Sequence, residues 1–265
     1  MKAIVLDGFG GPEVLKLGDV EAPVAGAGRV LVAVHATSVN RPDVVQRQGH
    51  YPPPPGESPI LGLEAAGTVE AVGDGVTGFA RGERVLALLG GGGYAELAAA
   101  HAGHVMRMPE SLSFEQAACI CETYLTAYMN LFLYARLGDG ETVLVHGVDV
   151  ILDHLGGAYL AQNVRALAVG GRLAVIGVMG GRKAELDLGR VLANRLSILG
   201  SVLRPRPVAE KAAIVQAFER DVMPYVAAGR IVPLIHRVYP LEQAPEAHRA
   251  MENSEHFGKL VLRVR

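Results

Sequence analysis

Glu141-Thr142-Val143-Leu144-Val145-His146-Gly147 reads as the first strand of a doubly wound parallel sheet, and the stretch that should follow it is missing. Such a strand runs into a glycine-rich turn and a helix whose N-terminal N–H groups cradle a pyrophosphate. Here only Val148-Asp149 intervene before Val150-Ile151-Leu152-Asp153, which reads as a second buried parallel strand. Parallel neighbours need a crossover of about a dozen residues or more, normally a helix passing right-handed over the sheet. Gly147-Val148-Asp149 supplies none, so the two stretches, if covalently joined, are not expected to lie side by side in parallel. One fused strand, an antiparallel turn, or exchange of one strand with a second copy remain. Each leaves an apolar edge and an easily opened region around residues 141 to 157.

Beyond that junction the chain alternates. A strand at Val150 to Asp153, a helix at Ala158 to Leu167, strands at Arg172 to Ile176 and Ser197 to Val202, and a long helix around Val208 to Ala228 are the pattern of an α/β fold with a doubly wound parallel sheet. Before about residue 110 the period is two. Arg29 to Ala36 sets Val30, Val32 and Val34 on one face, Thr68 to Val72 is again β-branched, and Gly, Pro and Asp clusters separate the runs. This predicts a small β-barrel with long loops. One loop, Gln48 to Gly56, presents Tyr51 ahead of four prolines, Pro52 to Pro55, that stiffen it. Ser113-Phe114-Glu115-Gln116 is a capping box opening a helix through Ala118, and a second helix covers Tyr124 to Ala135. Val232 to Tyr239, a helix at Leu241 to Met251 and a strand at Lys259 to Arg263 return to the barrel. The expected domains are a barrel over 1–122 and 232–265 and an incomplete doubly wound domain over 123–231.

Composition narrows the partners. The chain has 265 residues, a formal charge of -2 and 25 scattered Lys and Arg, which gives no electrostatic case for nucleic acid or an anionic membrane surface. Small molecules are the expected partners. Cys119 and Cys121 stand too close in sequence for a mutual disulfide, which favours a reducing compartment, and alone they build no metal site. No apolar run suits a signal peptide or a membrane span, so a cytoplasmic protein is expected.

Several segments then resemble one family in order along the chain. They are Leu6 to Leu15 with Gly10-Gly11-Pro12, Ser38-Val39-Asn40-Arg41-Pro42-Asp43, Gln46 to Tyr51, Leu61-Gly62-Leu63-Glu64, Leu88 to Glu96, Glu122 to Ala127, Leu152 to Gly157, Gly177-Val178-Met179-Gly180-Gly181, Ser201 to Arg204 and Gly258 to Leu262. Together they are similar to the medium-chain dehydrogenase/reductase superfamily, within it to the zinc-free quinone oxidoreductases, and most of all to their p53-inducible branch. The resemblance implies a GroES-like barrel domain plus a Rossmann domain, NADPH-dependent reduction of quinones or related conjugated carbonyls, and a homodimer. Against that pattern roughly sixty residues are missing after Gly147, the equivalent of a glycine loop, two strands and their helices. They would carry the pyrophosphate turn and the grip on the adenosine 2′-phosphate. Weak or lost NADPH binding is therefore expected, with the first strand left as a sheet edge. Zinc-dependent relatives need Cys, His and Cys at positions where this chain has Asn40, Leu63 and Glu122, so no metal is expected.

In such a family the cofactor supplies the chemistry and the protein positions it. Tyr51 and Asn40 are the candidate catalytic residues: the resemblance places an active-site tyrosine at Tyr51, although an ordinary loop tyrosine reads as well, and Asn40 can donate nearby or simply cap a turn before Arg41-Pro42. Thr126 resembles a cofactor-binding threonine, with a helix-internal hydrogen bond as the bland alternative. Leu155, Gly177 and Met179 fall at strand C-terminal ends, where open α/β sheets bind ligands. Ser201, Leu203 and Arg204 suit the cofactor site or a dimer seam, and His256 the nicotinamide end or a solvated helix terminus. Two functional readings follow: an impaired quinone reductase, or a non-enzymatic truncated remnant that folds and self-associates without binding cofactor.

Overall fold

The computed structural model describes residues 1–144 and 149–265. In chain order the elements are β1 (Lys2–Leu6), β2 (Leu15–Asp19), β3 (Arg29–Val39), α1 (Arg41–Arg47), β4 (Glu64–Val72), β5 (Arg84–Leu88), β6 (Leu97–His101), β7 (Val105–Arg107), α2 (Phe114–Ala117), α3 (Thr123–Tyr128), β8 (Val143–Leu144), β9 (Val150–Asp153), α4 (Leu160–Ala166), β10 (Arg172–Val175), α5 (Leu188–Ala193), β11 (Ser197–Gly200), α6 (Val208–Asp221), α7 (Met223–Ala227), β12 (Ile235–Pro240), α8 (Ala244–Asn253) and β13 (Lys259–Arg263). They form two compact units, Met1–Thr123 with Pro207–Arg265, and Tyr124–Arg206.

The first is the barrel unit. Its main sheet has the order β12-β13-β3-β4-β5-β7, with β6 also on β3, and β1 and β2 form a separate antiparallel pair. The strand pattern read from β3 is what builds the core: Val30, Val32 and Val34 are all fully buried and pack with Ala65, Val69, Val85 and Ala87. Burying each such valine contributes about 1.5–3 kcal/mol. A second cluster, including Ile4, Leu15, Val39, Tyr94, Leu260 and Leu262, lies against α8. Residues 207–231 belong here and not to the sheet unit as the sequence suggested. Helix α6 buries Ile214, Val215 and Phe218, it packs on the turn Ala102–His104, and His104 Nε2 donates to the Val208 carbonyl at 3.0 Å. Its apolar face is satisfied on the barrel, and the long helix breaks at Val222 before Pro224.

The second unit carries a parallel sheet in the order β11-β10-β9-β8. Its register runs Arg172 against Val150 and Ser197, with Ile151, Val164, Leu167, Leu173 and Leu196 forming the core. In the doubly wound order 3-2-1-4-5-6 these four correspond to strands 1, 4, 5 and 6. β8 stands at the edge among the described residues, as expected for a sheet lacking one wing.

The parallel pairing of β8 and β9 corrects the sequence reading. Val143 faces Val150 and Leu144 faces Ile151, in parallel, although only residues 145–149 connect the strands. β8 has only two residues, and the crossover rule describes strands of ordinary length. The Gly147-Val148 junction itself lies outside the described residues. Just before β8, Glu141 is held by both terminal nitrogens of Arg172 at 2.7 Å, and Arg172 Nε donates to the Ala135 carbonyl at 2.8 Å. The ion pair holds the Glu141 carboxyl down at about 2, its bonds to Arg172 being the main cause.

Candidate active site

In the barrel unit, the end of β3, the start of β4 and the start of β13 converge on a buried polar cluster. Asn40 is the N-cap of α1, and the fully buried Asp43 accepts its backbone N–H at 2.8 Å. The other Asp43 oxygen accepts the Gly62 N–H at 3.0 Å, which ties α1 to the turn before β4. Gly62 has φ +101°, and a Cβ there would come within 2.6 Å of Gly93 Cα, so this turn needs glycine. It delivers Glu64, also fully buried, into the cluster. One Glu64 oxygen accepts from Ser38 Oγ at 2.5 Å, Asn40 Nδ2 at 2.9 Å and Lys259 Nζ at 3.1 Å; the other accepts the Glu122 N–H at 2.9 Å. Lys259 Nζ also donates to Asn40 Oδ1 at 2.6 Å and Thr123 Oγ1 at 2.9 Å, so its three N–H groups meet three acceptors. Both polar ends of Asn40 are thus engaged by protein. The arrangement is a closed charge pair that fixes three strand ends.

The three zinc-ligand positions do not fit that metal. The Asn40 oxygen already faces an ammonium cation and Leu63 is a fully buried hydrocarbon, so of the three positions only Glu122 carries a usual zinc ligand, too few for a site. Cys119 and Cys121 are free and buried; desolvation pushes the Cys119 thiol up to about 12 and Cys121 well above its ordinary value. Neither is poised as a thiolate.

Tyr51 lies half-buried at the head of the proline run. A cavity of about 530 Å³ opens beside this loop, lined by Phe9, Gln46, Gly49, Pro52, Pro53 and Ile60 among others; Tyr51 flanks the lining in sequence without being part of it. His256 also belongs to the barrel unit, with Nδ1 donating to the Ala250 carbonyl at 3.2 Å and its ring 6.4 Å from that of His236.

The sheet unit brings most of the expected cofactor residues together at the C-terminal ends of its strands. The loops after β9 and β10 are laced by backbone bonds, Gly180 N to Leu155 O at 2.7 Å, Gly157 N to Gly181 O at 2.8 Å and Met179 N to His154 O at 3.3 Å. A Cβ on Gly177 would sit 2.7 Å from the His154 carbonyl oxygen, so the close approach of these loops excludes any other residue. Asp153 closes β9: its Oδ1 accepts the Leu155 and Gly156 N–H groups at 2.8 and 3.0 Å, while its buried Oδ2 has no partner. Ser201 follows β11 directly, with its N–H on the Val175 carbonyl at 3.2 Å, and Leu203 is buried two residues on.

Asn130 joins this group although the sequence reading passed over it. It is buried in the π-helical turn Met129–Tyr134, donates through Nδ2 to the Thr126 carbonyl at 2.8 Å, and accepts the Ser201 hydroxyl on Oδ1 at 2.7 Å. Thr126 and Ser201, 75 residues apart, are therefore linked through one amide. The available signal was a lone amide in the apolar run Met129-Asn130-Leu131-Phe132-Leu133; π-turns are frequent at functional sites.

Known proteins agree with this architecture. Residues 26–110 match the alcohol dehydrogenase GroES-like domain family and residues 133–262 a family described as zinc-binding dehydrogenase. Rat quinone oxidoreductase is 31% identical, with 99% of this chain and 97% of its own length covered, and the human protein is 30% identical with the same coverage. Those alignments run over 326 positions against 265 residues here, an excess of 61, so stretches of these relatives have no counterpart in this chain. The crystal structure of an NAD-dependent alcohol dehydrogenase is 28% identical with a TM-score of 0.87, and a mycobacterial quinone oxidoreductase 25% identical with a TM-score of 0.85, each covering 100% of both chains. With a GroES-like barrel, a parallel sheet and near-full-length similarity to quinone oxidoreductases, the chain belongs to the medium-chain dehydrogenase/reductase superfamily of oxidoreductases.

Proposed function

We propose that this chain is a nicotinamide-dependent reductase of quinones or related conjugated carbonyls that holds the nicotinamide end of its cofactor and grips the adenosine end weakly. The observation that carries this reading is the gathering of Leu155, Gly177, Met179 and Ser201 at the C-terminal ends of β9, β10 and β11, in a sheet whose strands correspond to 1, 4, 5 and 6 only. Ligands of open α/β sheets bind at those ends. The wing that would carry the pyrophosphate helix has no counterpart among the described residues, and backbone N–H groups at a helix N-terminus are the main source of phosphate affinity in this architecture.

Reduced nicotinamide, when bound, supplies a hydride to the acceptor carbon, and the acceptor oxygen takes a proton. The chain's contribution is alignment and exclusion of water. Glycine at 177 lets the loops after β9 and β10 close on one another beneath the ring, and Ser201 offers a polar contact beside it. Tyr51, on its stiff loop, is the candidate donor toward the acceptor oxygen. Asn40 acts through Lys259 and Glu64, holding the barrel's strand ends in place. The reaction needs no metal, since Asn40, Leu63 and Glu122 do not make a zinc site. The chain works in the cytoplasm as a homodimer; β11, the edge strand of the sheet among the described residues, with Ile198 exposed on it, is the surface that a second copy would cover.

Oxidation of NADPH in the presence of a simple naphthoquinone tests the activity. Quinone-dependent turnover that is unaffected by chelators, from protein carrying no stoichiometric zinc by elemental analysis, is expected. Absence of turnover at millimolar NADPH would favour the non-enzymatic reading.

A further inference from the structure

The amide of Asn130 has a direction that chemistry dictates. The Thr126 carbonyl accepts only, so the Asn130 atom 2.8 Å from it must be Nδ2, and Oδ1 must face Ser201. Oδ1 also accepts only. The Ser201 hydroxyl hydrogen is therefore spent on Asn130, at 2.7 Å, and the oxygen is left with lone pairs alone. Asn130 is 1% exposed, so water does not compete for either bond, whereas Ser201 is half-buried at the sheet's C-terminal edge. A serine hydroxyl is normally ambivalent, donor or acceptor as the ligand requires. Here the relay from Thr126 through Asn130 removes that freedom.

We propose that Asn130 is a positioning residue that turns Ser201 into an obligate hydrogen-bond acceptor, making this subsite selective for a ligand group that donates an N–H or O–H. Within the proposed cofactor reading, on which this inference rests, the group of that kind at the reacting end is the carboxamide NH2 of the nicotinamide. Its donor distinguishes a carboxamide from a ketone or ester of the same shape, and holding it limits rotation of the ring about its axis.

The test compares reduced NADP with its reduced 3-acetylpyridine analogue, in which a methyl replaces the carboxamide NH2 and no donor remains. Dissociation constants are read from nicotinamide fluorescence, and kcat/KM from quinone reduction. The wild-type protein should favour the carboxamide by about tenfold, the worth of one hydrogen bond. Ser201→Ala should bring that ratio close to one. Asn130→Leu should do the same, because the freed hydroxyl can then donate to the ketone as readily as it accepts from the amide. Asn130→Asp should keep the ratio, since a carboxylate oxygen still takes the serine hydrogen, while losing stability at Thr126. A merely structural Asn130 would weaken both cofactors equally and leave the ratio unmoved. A wild-type ratio near one, or a ratio unchanged in both Ser201→Ala and Asn130→Leu folded to the wild-type extent by circular dichroism, overturns the inference alone. Failure of both compounds to bind wild type at millimolar concentration overturns the cofactor reading, and this inference with it.

Discussion

Glu64 in the barrel unit and Asp153 in the sheet unit are both buried carboxylates at strand ends, and their surroundings differ. Glu64 receives four donors shared between its two oxygens, one of them the Lys259 ammonium. Asp153 receives two donors, both on Oδ1, and its other oxygen has none. A buried ionised group without its full complement costs free energy that the rest of the fold must offset. The Glu64 cluster satisfies its own polar groups, although elsewhere in the barrel unit Glu83 Oε2 is also buried with no hydrogen bond, 3.7 Å from Arg107 Nε. The sheet unit leaves acceptors over at the edge where a ligand would sit.

The largest effect should come from breaking the closed pair. Lys259→Met leaves Glu64 charged and buried, and a loss of about 3–5 kcal/mol is expected, measurable as a fall in the urea midpoint. Adding Glu64→Gln in the same chain should recover much of it, because the pair's mutual attraction is largely offset by its desolvation. A double variant no more stable than Lys259→Met would show that the cluster's value lies elsewhere.

Acid should separate the units next. In the barrel, burial pushes His248 down to about 3, with the Arg47 charge adding to it, and burial pushes His104 down to about 4. Both are neutral when folded and take up a proton near pH 6.5 when unfolded. The unfolded chain therefore binds more protons between about pH 6.5 and 4, and stability falls as pH drops through that window. In the sheet unit, Glu141 has its carboxyl held at about 2 by Arg172, so its contribution is full above about pH 4.5 and fades only below it. Denaturant midpoints recorded from pH 7 to pH 3 should show the barrel weakening first, and His248→Gln should flatten the upper part of that profile. A profile unchanged by that substitution would break the assignment.

The smallest effect lies at Asp153. Asp153→Asn keeps an oxygen for the Leu155 and Gly156 N–H groups, while Asp153→Ala leaves both N–H groups without an acceptor and should cost about 1–3 kcal/mol more than Asp153→Asn. Equal thermal midpoints for the two variants would contradict the role given to Oδ1.

Much of this fold was legible because its signals are local. The bounds of β9 and β13 follow directly from apolar runs between turn residues, and the Ser113 capping box forms as written, with Gln116 N on Ser113 Oγ at 3.2 Å. The Glu64, Lys259 and Asn40 cluster was not legible, since residues 40, 64 and 259 meet only through sheet pairing and no local pattern links them. The β8–β9 pairing was misread for a related reason: the crossover rule depends on strand length, and a two-residue strand escapes it. The placement of Leu155, Gly177, Met179 and Ser201 just past strand ends was legible because strand ends are readable, whereas Asn130, which accepts the Ser201 hydroxyl, sits within a helix where only its polarity marks it.

The central claim is that this chain holds the nicotinamide end of its cofactor and lacks the grip on the adenosine end. Titration of the protein with NADPH and, separately, with reduced nicotinamide mononucleotide tests it directly, because the chain has no tryptophan and nicotinamide emission is unobscured. The account predicts weak binding of both, within about tenfold of each other, since the adenosine phosphates meet no helix terminus. Saturable NADPH binding at micromolar concentration, orders of magnitude tighter than the mononucleotide, would contradict it.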